Sequence, residues 1–174
     1  IYQNARGLKT KVNDFYINIS DCEFDVVCLT ETWLDSSVMN SELFPNNYNI
    51  FRSDRDFIST GRTRGGGVLI AVNKNVKSVK LETQFVNNID LIDITACTIQ
   101  YPEKTIYIIV VYIPPDVSVS DFELFIDQLE NICYGKSNLL IIGDFNVPKF
   151  SDGMNCSKSK IMATMSLINI SDPT

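Results

Sequence analysis

The chain has 174 residues, 45% of them hydrophobic and 21% charged, a composition that suits one ordinary globular domain with its own core. A formal net charge of −6 argues against a surface that attracts nucleic acid indiscriminately, and leaves open a local basic groove on an acidic body. There is no histidine, which excludes a Ser–His–Asp triad, a His-ligated zinc and a histidine general base within these residues.

Ile1 to Gln3 reads as the tail of a strand, broken by Asn4 and Gly7. Over Thr10 to Ile19, the residues Val12, Phe15, Tyr16 and Ile19 recur at the spacing of an amphipathic helix. "DVVCLTETW" (25–33) follows as a buried strand, and 48–53 and 67–73 as two more, with the loop "TGRTRGGG" between them. Further strands are expected at 76–82, 89–99 and 105–113, and the run from 67 to 113 reads as an antiparallel meander. Pro114 and Pro115 end it. Ser120 with Glu123 forms a capping box before a helical stripe of Phe122, Phe125, Ile126 and Leu129. Strand 139–143 and a weaker helix over roughly 158–168 complete the chain.

No run is apolar and long enough to span a bilayer, so no membrane partner is expected. Cys22, Cys28, Cys97, Cys133 and Cys156 form no CxxC pair, and several sit in apolar runs. They read as buried thiols of a reducing compartment, nuclear or cytoplasmic. Strands outnumber helices and helices do not follow every strand, which favours two packed sheets with helices outside over a doubly wound fold.

The strand tips carry the chemistry. The first strand ends at Asn4, the second at Glu31, strand 105–113 at Tyr112, and strand 139–143 at Asp144 and Asn146. As parallel neighbours, these strands would bring their carboxyl ends to one crevice. Each residue has a plainer explanation alone: Asn4, Asp144 and Asn146 as turn residues, Glu31 as a surface ion-pair partner, Tyr112 as core. Together they favour a site. Two carboxylates among amide oxygens suit Mg²⁺, with Mn²⁺ as an alternative, and suit soft metals poorly.

"QNARGL", "TETW", "GGGVLIAV", "VYIPP" and "GDFN", in that order, resemble the endonuclease/exonuclease/phosphatase superfamily. "FRSDR" and "SKSKIMATMSLINIS" narrow the resemblance to the apurinic-endonuclease-like domain of non-LTR retrotransposons. The resemblance implies a four-layer α-β-β-α sandwich, a single domain over 1–174, and divalent-metal cleavage of DNA phosphodiesters. By motif it makes Glu31 the metal ligand with Asn4 beside it. Asp144 becomes the residue that orients or deprotonates water, Asn146 its phosphate-contacting partner, and Tyr112 the phenol on the scissile phosphate. It further implies a polyprotein with a reverse transcriptase, in which nicked target DNA primes reverse transcription.

The family's C-terminal Ser-Asp-His-type motif has no counterpart before "SDPT", and the start looks clipped inside the first strand. An incomplete copy is therefore expected, which alone would nick DNA weakly or not at all. The rival readings are a non-catalytic binding module of the same fold and a phosphatase or sphingomyelinase-type phosphoesterase. Among Arg52, Arg55, Arg62 and Arg64, the last three are candidate contacts to the DNA backbone, against the plainer view of a solvated mixed-charge loop.

Overall fold

The central strands alternate side chains between two apolar environments, which is why their sequences are nearly continuous in apolar character. The structure, a computed structural model, describes residues 1–146 apart from 57, 59, 63 and 83–90. The elements are β1 (Tyr2–Asn4), α1 (Val12–Ser20), β2 (Val26–Thr30), α2 (Asn40–Leu43), β3 (Tyr48–Ser53) and β4 (Val68–Asn73). Then come β5 (Lys77–Lys80), β6 (Asp93–Gln100), β7 (Thr105–Tyr112), α3 (Val119–Cys133) and β8 (Leu139–Asp144).

One sheet has the order β1-β2-β4-β3 and the other β5-β6-β7-β8. Both are mixed. β1 is parallel to β2, β7 is parallel to β8, and the other pairs are antiparallel. Cys28, Val68, Ile70 and Val72 of the first sheet pack against Cys97, Ile99, Ile108 and Val110 of the second. On the first sheet's outer face, Val27, Leu29, Leu69 and Ala71 meet Val12, Phe15 and Ile19 of α1. On the second sheet's outer face, Ile109, Val111 and Ile141 meet Phe122, Phe125, Ile126 and Leu129 of α3. The result is the four-layer α-β-β-α sandwich. Each of those buried α3 side chains contributes about 1.5–3 kcal/mol through apolar burial.

Four details differ from the sequence reading. The run from 67 to 113 is not one meander, because β4 pairs with β2 and β3 while β5 to β7 build the other sheet. β2 stops at Thr30, since Glu31 and Trp33 take left-handed backbone angles of φ 55° and 53° that no strand accommodates. Helix α3 is capped by Ser118, not Ser120: the Ser118 hydroxyl accepts from Asp121 N at 3.1 Å and donates to the Asp121 carboxylate. Cys28 and Cys97 are buried as expected, but Cys22 is exposed. The expected helix at 158–168 and Cys156 lie outside the described residues. No described helix is long and apolar enough to cross a membrane.

Candidate active site

The strand ends converge from two sheets, not along one. Within the first sheet, the parallel register sets Asn4 opposite Thr30, so Asn4 and Glu31 leave the sheet side by side. Within the second, Tyr112 is opposite Asp144, and Ile113 N donates to Asp144 O at 2.9 Å. Two side-chain hydrogen bonds then cross from sheet to sheet. Asn4 Nδ2 donates to Asp144 Oδ2 at 3.0 Å, and the Tyr112 hydroxyl bonds to the Glu31 carboxylate. Trp33 Nε1 donates to Glu31 Oε2 as well. Asn146 Nδ2 donates to Ile113 O at 3.0 Å, and Asn146 N donates to the Asp144 carboxylate.

Backbone chemistry explains how the sequence reaches this geometry. A Cβ on Gly143 would stand 1.9 Å from Val111 O, so only glycine lets β8 approach β7 just before Asp144. Glu31 is held in its left-handed turn by neighbours on three sides: Gly7 N donates to Glu31 O at 2.8 Å, Trp33 N to Gly66 O at 2.9 Å, and Thr32 N to Gly67 O at 3.2 Å. Left-handed backbone at a non-glycine residue costs of order 1–3 kcal/mol and clusters at functional sites.

A model of the endonuclease/exonuclease/phosphatase family matches residues 2–155. The chain belongs to this family. Similar solved structures include the endonuclease domain of TRAS1, a telomere-specific non-LTR retrotransposon, at 14% identity and TM-score 0.62, over 95% of this chain and 70% of that one. A 3′ phosphatase from Neisseria, bound to a product DNA hairpin, shares 14% identity at TM-score 0.61, over 95% of this chain and 69% of that one. An AP endonuclease from Archaeoglobus fulgidus shares 13% identity at TM-score 0.58, again over 95% and 69%. At these identities the likeness is one of fold. No curated protein matches the chain.

Electrostatics at the site fit the family's general use of a divalent metal. Burial pushes the Asp144 carboxyl above its ordinary value and the Glu31 charge adds to the rise, against the Asn4 hydrogen bond, which lowers it. Burial and Glu31 together push the Tyr112 phenol well above the usual range, so it stays a proton donor. Two half-buried carboxylates that repel each other, beside amide oxygens and without thiol or imidazole, fit a hard divalent cation. Among the described residues, no group of three or more His, Cys, Asp or Glu is placed to hold a metal.

The arginines divide sharply. Arg55, expected on the DNA face, is instead buried at 1% side-chain exposure in an ion pair with Asp93 at 2.6 Å, where no phosphate backbone can reach it. Arg52 is tied to Asp54 and to the Val38 and Asp35 carbonyls. Arg62 pairs with Asp116 at 2.6 Å, and exposed Arg64 lies 4.2 Å over the Trp33 ring. Trp33, Asp93 and Arg6 are the site neighbours that motif reading passed over; Arg6 is exposed and its charge lowers the Asp144 carboxyl. Asp93 had a readable signal, being an acid at the start of the apolar strand "DITACTIQ".

Proposed function

We propose that the chain is the DNA endonuclease module of a non-LTR retrotransposon polyprotein, which uses Mg²⁺ to nick target DNA and expose a primer for reverse transcription. The observation that carries this reading is the pair of hydrogen bonds, Asn4 to Asp144 and Tyr112 to Glu31, that join the strand ends of both sheets into one acidic, amide-rich cluster. The retrotransposon endonuclease and the DNA-bound phosphatase among the similar structures support the substrate class and context.

In this reading Glu31 holds the cation, with Asn4 Oδ1 as the neighbouring oxygen donor. When bound, the cation supplies positive charge to the phosphodiester and its leaving oxygen. Asp144 accepts the proton of the attacking water, a task favoured by a carboxyl raised above its ordinary value. Asn4 Nδ2, at 3.0 Å from Asp144 Oδ2, fixes the orientation of that carboxylate. On substrate binding the Tyr112 hydroxyl exchanges its bond to the Glu31 carboxylate for one to the scissile phosphate, and Asn146 contacts the same group. Arg62 and Arg64 are the candidate contacts along the DNA backbone.

These 174 residues hold no histidine to stabilise the charge that develops on the phosphate, so on their own they should turn over slowly. The test is supercoiled plasmid incubated with the chain and Mg²⁺. Slow, EDTA-sensitive conversion to open circles, lost in Asp144→Asn, supports the reading. DNA binding without any nicking favours the non-catalytic module, and neither binding nor nicking overturns both.

A further inference from the structure

Arg55 and Asp93 are the most buried ion pair of the described residues, with side-chain exposures of 1% and 6%. Burying two charges is expensive, and such a pair is seldom a source of stability, so its retention calls for another reason. Its bonds supply one, because they lead to both sides of Glu31. Arg55 Nη2 donates to Asp93 Oδ2 and to Leu91 O, each at 2.6 Å, and its guanidinium lies 5.3 Å from the centre of the Tyr112 ring. Asp93 is the register partner of Tyr112 across β6 and β7. Asp93 Oδ2 also accepts from Gly67 N at 2.9 Å.

The glycine backbone is pressed onto this pair. A Cβ on Gly66 would stand 2.4 Å from the Arg55 guanidinium and 2.5 Å from Asp93 Oδ2. The carbonyls of Gly66 and Gly67 in turn accept from Trp33 N and Thr32 N, which fix the turn carrying Glu31. Tyr112 reaches the same carboxylate from the other sheet.

We propose that the Arg55–Asp93 pair is a positioning device for the cation site. It fixes Glu31 from two directions, through the Tyr112 ring and through the Gly66–Gly67 backbone. The inference rests on the cation-dependent reading above, and its test separates the two.

Asp93→Asn alone strands the Arg55 charge and invites misfolding, so the decisive variant replaces both residues, Arg55→Met with Asp93→Leu, leaving no buried charge. Circular dichroism and a urea titration establish that the double variant folds. Mn²⁺ binding is read by the paramagnetic resonance of the free ion. Trp33 is the only tryptophan and its indole N–H rests on Glu31, so its emission reports that carboxylate directly. The expected result is a folded double variant with Mn²⁺ affinity weakened about 10–100-fold, as for other groups that orient metal ligands. Its Trp33 emission should shift even without Mn²⁺. Parental affinity together with parental emission in a folded double variant overturns the proposal. If the parent itself binds no Mn²⁺, the cation reading fails while the emission still decides the positioning role: a shift upholds it and parental emission ends it.

Discussion

Gly67→Ala tests the support beneath Glu31 most directly, because two separable penalties meet there. The backbone sits at φ 83°, and an added Cβ would stand 2.4 Å from the Thr32 hydroxyl. The conformation costs of order 1–3 kcal/mol, and forced overpacking about 1–3 kcal/mol more. For a domain of this size the sum, roughly 2–6 kcal/mol, lowers the melting temperature by about 5–20 °C. Gly61→Ala isolates the first penalty: its φ is 61° and nothing lies within 4 Å of the new Cβ, so it should lose only about 1–2 kcal/mol. Adding Thr32→Ala to Gly67→Ala removes the clash and leaves the nearest atom, Trp33 N, at 3.6 Å. That double variant should recover to the level of Gly61→Ala, with the non-additivity expected of touching residues. Thermal unfolding followed by circular dichroism measures all three. Gly67→Ala melting no lower than Gly61→Ala, or a double variant no more stable than Gly67→Ala, would refute the reasoning.

Asp144→Asn should abolish any nicking yet stabilise the fold at pH 7. Folding raises the Asp144 carboxyl above its ordinary value of 3.8, so its contribution to stability is full below that value and lost as pH rises through the folded one. The gain in urea midpoint should therefore be present at pH 7 and vanish near pH 3; an equal gain at both would contradict it. Burial pushes the Cys28 and Cys97 thiols up to about 12, so in the native chain neither should react with iodoacetamide at pH 8, whereas exposed Cys22 should. Peptide mapping of the labelled sites checks this, and labelling of Cys97 in folded protein would count against the closed inter-sheet core. Phe122→Ala removes a fully buried ring from the α3 face and should cost about 3–5 kcal/mol in equilibrium urea unfolding.

The layers were legible because apolar periodicity survives in single elements. β7 places Ile109 and Val111 toward α3 and Ile108 and Val110 toward the other sheet, and such two-sided burial shows in the sequence as an uninterrupted apolar run. Sheet membership was not legible. β4 and β5 are separated by a short connection and look like a hairpin, yet they pair into different sheets, a choice made by partners distant in sequence. The strand tips could be named individually, but not the fact that Asn4 bonds Asp144 from the opposite sheet, 140 positions away. Arg55 shows the limit most clearly. Its neighbours Arg62 and Arg64 make it look like part of a surface cluster, and only the position of Asp93, 38 positions on, turns it inward.

The candidate site is assembled from two halves, and neither sheet contains it alone. Asn4 and Glu31 belong to the first, Tyr112 and Asp144 to the second, so the geometry of the acids depends on the inter-sheet core of Cys28, Ile70, Cys97 and Val110 below them. The burial and mutual repulsion that raise the Asp144 carboxyl work against folding, and the packed sheets must supply the difference. A shift between the layers would lengthen both cross-sheet hydrogen bonds together, Asn4 to Asp144 and Tyr112 to Glu31, while each sheet kept its own ladder. In this fold, loss of the cluster should thus be separable from loss of the secondary structure, with the inter-sheet core governing the first.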